Sequence, residues 1–562
     1  GLAMGPQGIA YGSLETLDIF LGSGQDTFSV TGTMKRADGY RTVTMLSTGA
    51  GSDEVTVSLS ANDDGFFAMN TEAGDDTVHA EASSLPLVVF GGLGSDEIHT
   101  GTGDDIVFGD KGRVDYRDAS GRLITRLGLG LAERTVLQPG QAETSDTQVP
   151  FKQTDGIVRG PSLVTTRQAS AGGVDTVYGS QGNDTILGGA AGDTLEAGEG
   201  DNIVLGDHGT IEYQLDGDLT DIDRISSTDY SYGGDDTITT GAGSDLVVGG
   251  AGADGISAGG GSNLVIGDSG KITSAQADTD RFGTLPLTVG LVETVGFGIG
   301  GVDHITTGSG GDIVLGGHAG DIIGAGDGSN IVLGDDGKID FVRAERDATA
   351  AGADLNPADI DLIESLSTTS AGGVDEITTG AGSDVVVGGR YGDTISAGGG
   401  NNLVIGDSGR VTAAAAEAPQ LSGIAMTLGL VETISSADGG DDTITTGTGN
   451  DVVLGGQGGD TITANEGELS GGTDAGNLIL GDNGLLDFTR AERPGQQTQP
   501  GADTNAGDLD LVQSRDEAIG GNDTITVGNG SDMVIGGTGS DTITLNEGNN
   551  LALGDSGKIT AA

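Results

Sequence analysis

Aspartate recurs at intervals of nine along much of this chain. In residues 233–272, GGDDTITTGAGSDLVVGGAGADGISAGGGSNLVIGDSGKI, it stands at 236, 245 and 254, and Asn263 continues the series. Glycine lies two residues before each (Gly234, Gly243, Gly252, Gly261), and an aliphatic residue lies two after (Ile238, Val247, Ile256, Val265). The unit is G-x-D-x-U-x with U aliphatic, and fuller copies begin Gly-Gly-x, as in GGLGSDEIH at 91–99. The series includes Asp96 and Asp105, then Asp175, Asp184 and Asp193, then Asp303, Asp312 and Asp321. It continues with Asp375, Asp384 and Asp393, with Asp442, Asp451 and Asp460, and with Asp523, Asp532 and Asp541. Each triplet is followed by asparagine: Asn202, Asn263, Asn330, Asn402, Asn477 after a short insertion, and Asn550. Each block closes on GD-x-G, which adds Asp110, Asp207, Asp268, Asp335, Asp407, Asp482 and Asp555.

Nine residues divide into a six-residue turn and a three-residue strand. Glycine in the turn accepts positive φ without a Cβ clash, and the strand's central aliphatic side chain points inward. Two units make one coil of a flattened parallel solenoid, so every second turn sits about 4.8 Å above another. Asp236 then lies over Asp254. Two charges about 5 Å apart cost about 1 kcal/mol in water and about 3 kcal/mol at an effective dielectric of 20. Summed over a column, that repulsion exceeds a typical stability of about 5–15 kcal/mol. One buried Ile or Val per unit, worth about 1.5–3 kcal/mol, does not offset it. A cation must therefore sit between turns. The available ligands are carboxylate and backbone carbonyl oxygens, which select a hard ion with flexible coordination, Ca²⁺ before Mg²⁺.

The elements that hold these columns are blocks and inserts. The predicted division is degenerate repeats over 1–90, a block at 91–114 and an insert at 115–170. Further blocks are expected at 171–212, 233–272, 300–339, 372–411, 439–486 and 520–562, with inserts between them. Weaker turns at Asp26, Asp53 and Asp76 precede the first full block. Within a block the aliphatic position alternates, as in Ile305, Val314, Ile323, Val332 and again in Ile377, Val386, Ile395, Val404. That alternation predicts two inward columns, one for odd turns and one for even. The inserts repeat as well: FVRAER at 341–346 against FTRAER at 488–493, and VGLVETV at 289–295 against LGLVETI at 428–434.

The chain has 562 residues, 85 Asp and Glu against 24 Lys and Arg, a net charge of −61 and no cysteine. Such a surface repels phosphate and excludes a nucleic-acid binder. No run of about 20 apolar residues offers a membrane span. Without cysteine there is no disulfide framework. Glycine fills 109 positions, but 10 prolines and no triplet period exclude collagen. Regularly spaced apolar residues, 35% of the chain, argue against disorder. The first residue is not Met and no secretory signal opens the sequence, which reads as a segment or processed product.

The unit resembles the GGxGxDxUx nonapeptide of RTX (repeats-in-toxin) proteins of the large bacterial surface or adhesin type. The resemblance implies an all-β fold: right-handed parallel β-roll blocks with stacked calcium ions, interrupted by irregular inserts. It implies that the turn aspartates and carbonyls of successive coils on one edge share each ion. The aspartates of the ninefold series and of GD-x-G, with Asn202, Asn263, Asn330, Asn402 and Asn550, become the candidate ligands. Asparagine is neutral, so its sites are expected to be weaker or replaced. The GD-x-G aspartates are expected to close the last site of each block. The family also implies export by type I secretion, with folding outside the cell on Ca²⁺ binding.

Other signals carry less. GDSG at 267–270, 406–409 and 554–557 looks like a serine-protease motif, but sister blocks put His, Asp, Asn or Lys at the serine. His79, His99, His208, His304 and His318 form no paired-ligand motif and replace Thr, Ser or Gln of the repeat. Threonines beside the strands are too irregular for an ice-binding array. Arg113, Arg117, Arg122, Arg126 and Arg134 make one insert locally basic, read as a loop ordered by local contacts. No catalytic constellation is found. The chain's end, GDSGKITAA, joined to its start, GLAMGPQGIAYGSLETL, resembles the internal run at 406–434, so head-to-tail or layer self-association is expected. The reading is a calcium-dependent structural protein, extracellular or on the bacterial cell surface, with a glycan or surface ligand reachable through the inserts. The alternative is the non-catalytic RTX region of a larger secreted enzyme or toxin.

Overall fold

Each repeat unit forms a short strand with its aliphatic residue inward, as in Thr237–Thr240, where Ile238 is buried between exposed Thr237 and Thr239. The computed structural model describes residues 11–561 except 13, 37–38, 153, 155, 158, 367–371, 417–419 and 465–475. The start of the chain and the insertion before Asn477 therefore lie outside the described residues, and so does the expected joining of the termini. The chain divides into two compact units, Gly1–Ile256 with Gly283–Leu287, and Ser257–Phe282 with Thr288–Ala562.

In the second unit, odd and even turns feed two separate parallel sheets. Ile305 pairs in register with Ile323, and Ile377 with Ile395, in one sheet. Val314 pairs with Val332, and Val386 with Val404, in the other. The alternation of Ile and Val thus marks the two columns expected of a parallel β-roll. The first unit likewise has two parallel sheets, with Val177 over Leu195 in one and Ile186 over Val204 in the other. Glycine is required where coils approach most closely. Gly252 has φ +133°, and a Cβ there would overlap the Gly234 carbonyl of the coil before it.

The expectation of irregular inserts is corrected. Every GD-x-G phrase opens a strand, and each insert that follows one returns an antiparallel strand. In the second unit Gly270–Ser274 pairs with Val289–Thr294, which pairs with Gly337–Asp340, then Leu362–Ser365, Gly409–Ala413 and Leu428–Thr433. Gly484–Asp487, Leu511–Ser514 and Lys558–Thr560 complete this third sheet. Its inward column is Ile272, Val292, Ile339, Ile363, Val411, Val431, Leu486 and Val512, all buried. In the first unit Val114, Val164, Ile211 and Ile225 stack likewise. The phrase VGLVETV therefore supplies the strand Val289–Thr294, with Val292 in the inward column. Its separation from the ninefold pattern hid its place in the core.

Among the described residues no helix is long and apolar enough to cross a membrane.

Candidate metal centre

The turns stack into two edges of different chemistry. On the first edge every turn carries aspartate. In the second unit the main-chain N–H of Asp303 donates to Asp321 Oδ1, and that of Asp321 to Asp375, at 2.8 and 2.7 Å. The ladder runs on through Asp393, Asp442, Asp460, Asp523 and Asp541 at 2.7–3.1 Å. In the first unit it joins Asp96, Asp175, Asp193, Asp236 and Asp254 at 2.6–2.8 Å. Steps across an insert have the same geometry as steps of 18 residues within a block, because the insert leaves and rejoins the roll at one turn.

Each carboxylate thus has one oxygen fixed by the coil before it. The other, Oδ2, is buried without a hydrogen-bond partner in Asp96, Asp175, Asp193, Asp236, Asp321, Asp375, Asp393, Asp442, Asp460, Asp523 and Asp541. A buried, unpaired carboxylate oxygen is costly, and a whole row calls for a counter-charge. Beside these atoms lies an oxygen-lined cradle. A Cβ built on Gly388 would meet both Asp393 Oδ2 and the Gly406 carbonyl, and one on Gly316 would meet Asp321 Oδ2 and the Gly334 carbonyl. Carboxylate and carbonyl oxygens converging on one space fit the hard-cation donor set.

The electrostatics agree. Burial, and then the neighbouring carboxylates of Asp236 and Asp175, push Asp193 up to about 10. Burial with Asp303 and Asp375 pushes Asp321 up to about 11. Burial with Asp207 and Asp254 pushes Asp236 up to about 9. Stripped of a cation, Asp193, Asp236 and Asp321 hold protons at neutral pH.

The GD-x-G aspartates join this edge at the start of the next block. Asp110 accepts from the N–H of Gly173 and Ala190 at 3.1 and 2.6 Å. Asp268 accepts from Gly301 at 3.2 Å and from His318, with Asp303 the next largest cause, after burial, of its rise to about 9. Asp207, Asp335, Asp407 and Asp482 make the corresponding pairs with Gly234, Gly373, Gly440 and Gly521. Asp555 lies exposed in the last described coil.

The second edge mixes aspartate and asparagine, alternating strictly in the second unit. In the second unit the order is Asn263, Asp312, Asn330, Asp384, Asn402, Asp451, Asn477, Asp532, Asn550, each N–H donating to the next side-chain Oδ1 at 2.7–3.0 Å. In the first unit it runs Asp105, Asp184, Asn202, Asp245 at 2.8–2.9 Å. The asparagine amides are turned toward the turn backbone. Nδ2 of Asn330 donates to the carbonyls of Gly326 and Gly328 at 3.0 and 3.3 Å, and Asn202, Asn263 and Asn402 repeat the pattern. Asp384 and Asp451 accept at Oδ2 from Thr379 and Thr446, both at 2.7 Å. Burial pushes Asp451 up to about 6, and on the same edge Asp105 to about 7 and Asp184 to about 8.

The repeat pattern marks Asp53 and Asp76 as weaker turns outside the ligand set, yet both belong to the first edge. Asp53 and Asp76 continue the ladder toward Asp96 at 2.6 and 2.8 Å, and their Oδ2 atoms are likewise buried without a partner. The signal was present in Gly51-Ser-Asp53-Glu-Val55 and Gly74-Asp-Asp76-Thr-Val78. Intervals longer than nine on either side obscured it.

Parallel sheets edged by stacked turn carboxylates define a calcium-binding β-roll. Residues 88–113, 171–206, 230–270, 378–412, 436–468 and 518–552 match the family model described as RTX calcium-binding nonapeptide repeat (4 copies). The chain carries RTX calcium-binding nonapeptide repeats, and such repeats bind Ca²⁺. Residues 300–339, outside those segments, form the same ladder. No curated protein matches the chain.

Proposed function

We propose that this chain is a calcium-dependent extracellular structural protein, an adhesin, surface-layer or matrix-filament component whose β-rolls fold on binding Ca²⁺ outside the cell. The observation that carries this reading is the row of buried Oδ2 atoms without partners along the all-aspartate edge. Such an edge is poorly stable without a cation and well satisfied with one. Ligand binding to the folded state alone then drives folding. The ligands would be the first-edge aspartates with the turn carbonyls beside them, and the GD-x-G aspartates where blocks begin. Extracellular sites of about 10⁻⁴–10⁻³ M affinity respond to the rise in Ca²⁺ on leaving the cell. Proteins with these repeats are generally secreted, which agrees with that route. Head-to-tail or layer assembly is part of the same proposal.

The test is a Ca²⁺ titration of the EDTA-stripped chain, followed by far-UV circular dichroism and sedimentation together. Cooperative growth of β signal at submillimolar to millimolar Ca²⁺ is expected, with large species forming in the same range. A folded monomer that never grows would favour a spacer or the accessory region of a secreted enzyme. Full β structure in EDTA, indifferent to Ca²⁺, would sink the proposal.

A further inference from the structure

In the first unit, away from both carboxylate edges, two histidines meet on the outer face of a parallel sheet. His79 ends the strand Thr77–His79 and His99 ends Glu97–His99, and the two are register partners. Their rings stack at 5.7 Å between centroids, and Tyr178 of the next coil stacks on His99 at 4.5 Å. The same outward column carries Thr56 on one side and Glu196 and Thr239 on the other, so the imidazoles occur in adjacent coils only here. Glu81, two residues past His79, reaches back over the pair. Its Oε1 lies 3.4 Å from His79 Nδ1 and 3.9 Å from His99 Nδ1. One ligand atom from each of His79, Glu81 and His99 lies within 4.8 Å of the others. On the far side of the His99 ring, Nε2 meets Glu97 Oε1 at 2.8 Å.

We propose that His79, Glu81 and His99 form a binding site for a borderline transition-metal ion, with Zn²⁺ as the reference ion, separate from the calcium edges. The donor set is two imidazole nitrogens and one carboxylate, which suits Zn²⁺, Cu²⁺ or Ni²⁺ and not Ca²⁺. Ligand atoms around a tetrahedral ion with bonds of about 2.0–2.1 Å stand about 3.4 Å apart. The His79–Glu81 separation already has this value, and a small rotation brings His99 to it. Glu97 is the positioning residue: a carboxylate on the outer ring nitrogen fixes the tautomer that leaves Nδ1 free for metal. Stacking on Tyr178 holds the same ring in plane. The sheet itself sets the spacing, because neighbouring parallel strands lie about 4.8 Å apart. Three protein ligands leave the fourth position to water or to a donor from another molecule.

The test is equilibrium dialysis of the Ca²⁺-saturated chain against Zn²⁺, with Co²⁺ absorption as the spectroscopic probe. Saturating Ca²⁺ keeps the carboxylate edges filled. One Zn²⁺ per chain is expected, with a visible Co²⁺ band of a nitrogen-ligated site. His79→Ala and His99→Ala each abolish both signals, and so does Glu81→Gln on its exposed turn, which leaves the stacked rings untouched. Glu97→Gln weakens Zn²⁺ binding by about 10- to 100-fold. Unchanged circular dichroism in Ca²⁺ shows that the variants remain folded. A Zn²⁺ content that is the same in wild type and all three ligand variants overturns the proposal, as does a wild-type chain that takes up no Zn²⁺ in excess Ca²⁺.

Discussion

Aspartate and asparagine share the turn position, yet their side chains face different partners. An asparagine Oδ1 accepts the N–H of the coil before it just as a carboxylate does, but its Nδ2 then donates to two turn carbonyls of its own coil. The amide fills with hydrogen-bond donors the place where a carboxylate would need a cation. Asn330→Asp replaces those donors with charge facing the Gly326 and Gly328 carbonyls. The expected result is about 1–3 kcal/mol lower stability in EDTA, with one more Ca²⁺ bound per chain at saturation. Urea unfolding in EDTA and metal analysis in Ca²⁺ measure the two halves. Asp268→Ala works in the opposite direction: it removes the carboxylate that Gly301 and His318 cap beside Asp303. One bound Ca²⁺ fewer is expected, and an unchanged metal count would remove the GD-x-G aspartates from the ligand set.

At the scale of elements, the inserts do more than link blocks. Their strands form a third sheet, and its outer face carries a run of cross-strand ion pairs. In the second unit Lys271 pairs with Glu293 at 2.6 Å, Lys338 with Glu364 at 2.6 Å, and Arg410 with Glu364 and Glu432 at 3.2 and 2.5 Å. Opposite charges thus alternate along cross-strand neighbours, half-buried pairs that together pin the register. Inside, Ile363 is fully buried between Ile339 and Val411. Ile363→Ala is expected to cost about 2–5 kcal/mol by thermal or urea unfolding at saturating Ca²⁺. The basic insert of the first unit is also built into the structure. Arg126 is fully buried, bonded through Nε and Nη2 to Asp115 at 2.6 Å each. Burial alone would raise the Asp115 carboxyl, but Arg126 and Arg113 outweigh it and hold it below its ordinary value. Arg126→Ala leaves that carboxylate with Arg113 as its close partner, with an expected loss of about 1–3 kcal/mol. A loss under about 1 kcal/mol would mean that water reaches Asp115.

Across the whole molecule, protons would compete with any Ca²⁺ that these carboxylates bind. Burial raises Asp76 to about 6, Asp523 to about 7, Asp460 to about 9 and Asp193 to about 10, from an ordinary 3.8. A group whose folded pKa is raised stabilises the fold below its unfolded pKa and loses that contribution as pH rises through the folded value. The metal-free chain should therefore be most structured near pH 4 and lose β signal progressively from there toward pH 10. Ca²⁺ should bind more tightly as pH rises and release protons on binding. Circular dichroism of the EDTA-treated chain across this range, with a pH-stat titration of Ca²⁺ at pH 8, checks both. A metal-free chain more stable at pH 8 than at pH 4.5 would refute the linkage.

The ninefold interval by itself determined the repeat strands, the inward Ile and Val columns, and the oxygen-only donor set that points to Ca²⁺. It could do so because a strand of period two and a glycine turn are local, so the pattern survives in one dimension. What the tertiary structure alone decided is how turns far apart in sequence are juxtaposed. The division into an all-aspartate edge and a mixed edge depends on which block stacks on which, across inserts that hide the phase. Asp53 and Asp76 join the first edge despite irregular spacing. The inserts form a sheet because their strands pair only with strands of other inserts and of GD-x-G phrases, a long-range pairing with no fixed interval. His79 and His99 lie 20 residues apart in sequence and read as scattered substitutions. They meet because consecutive coils place equivalent strand positions one inter-strand spacing apart.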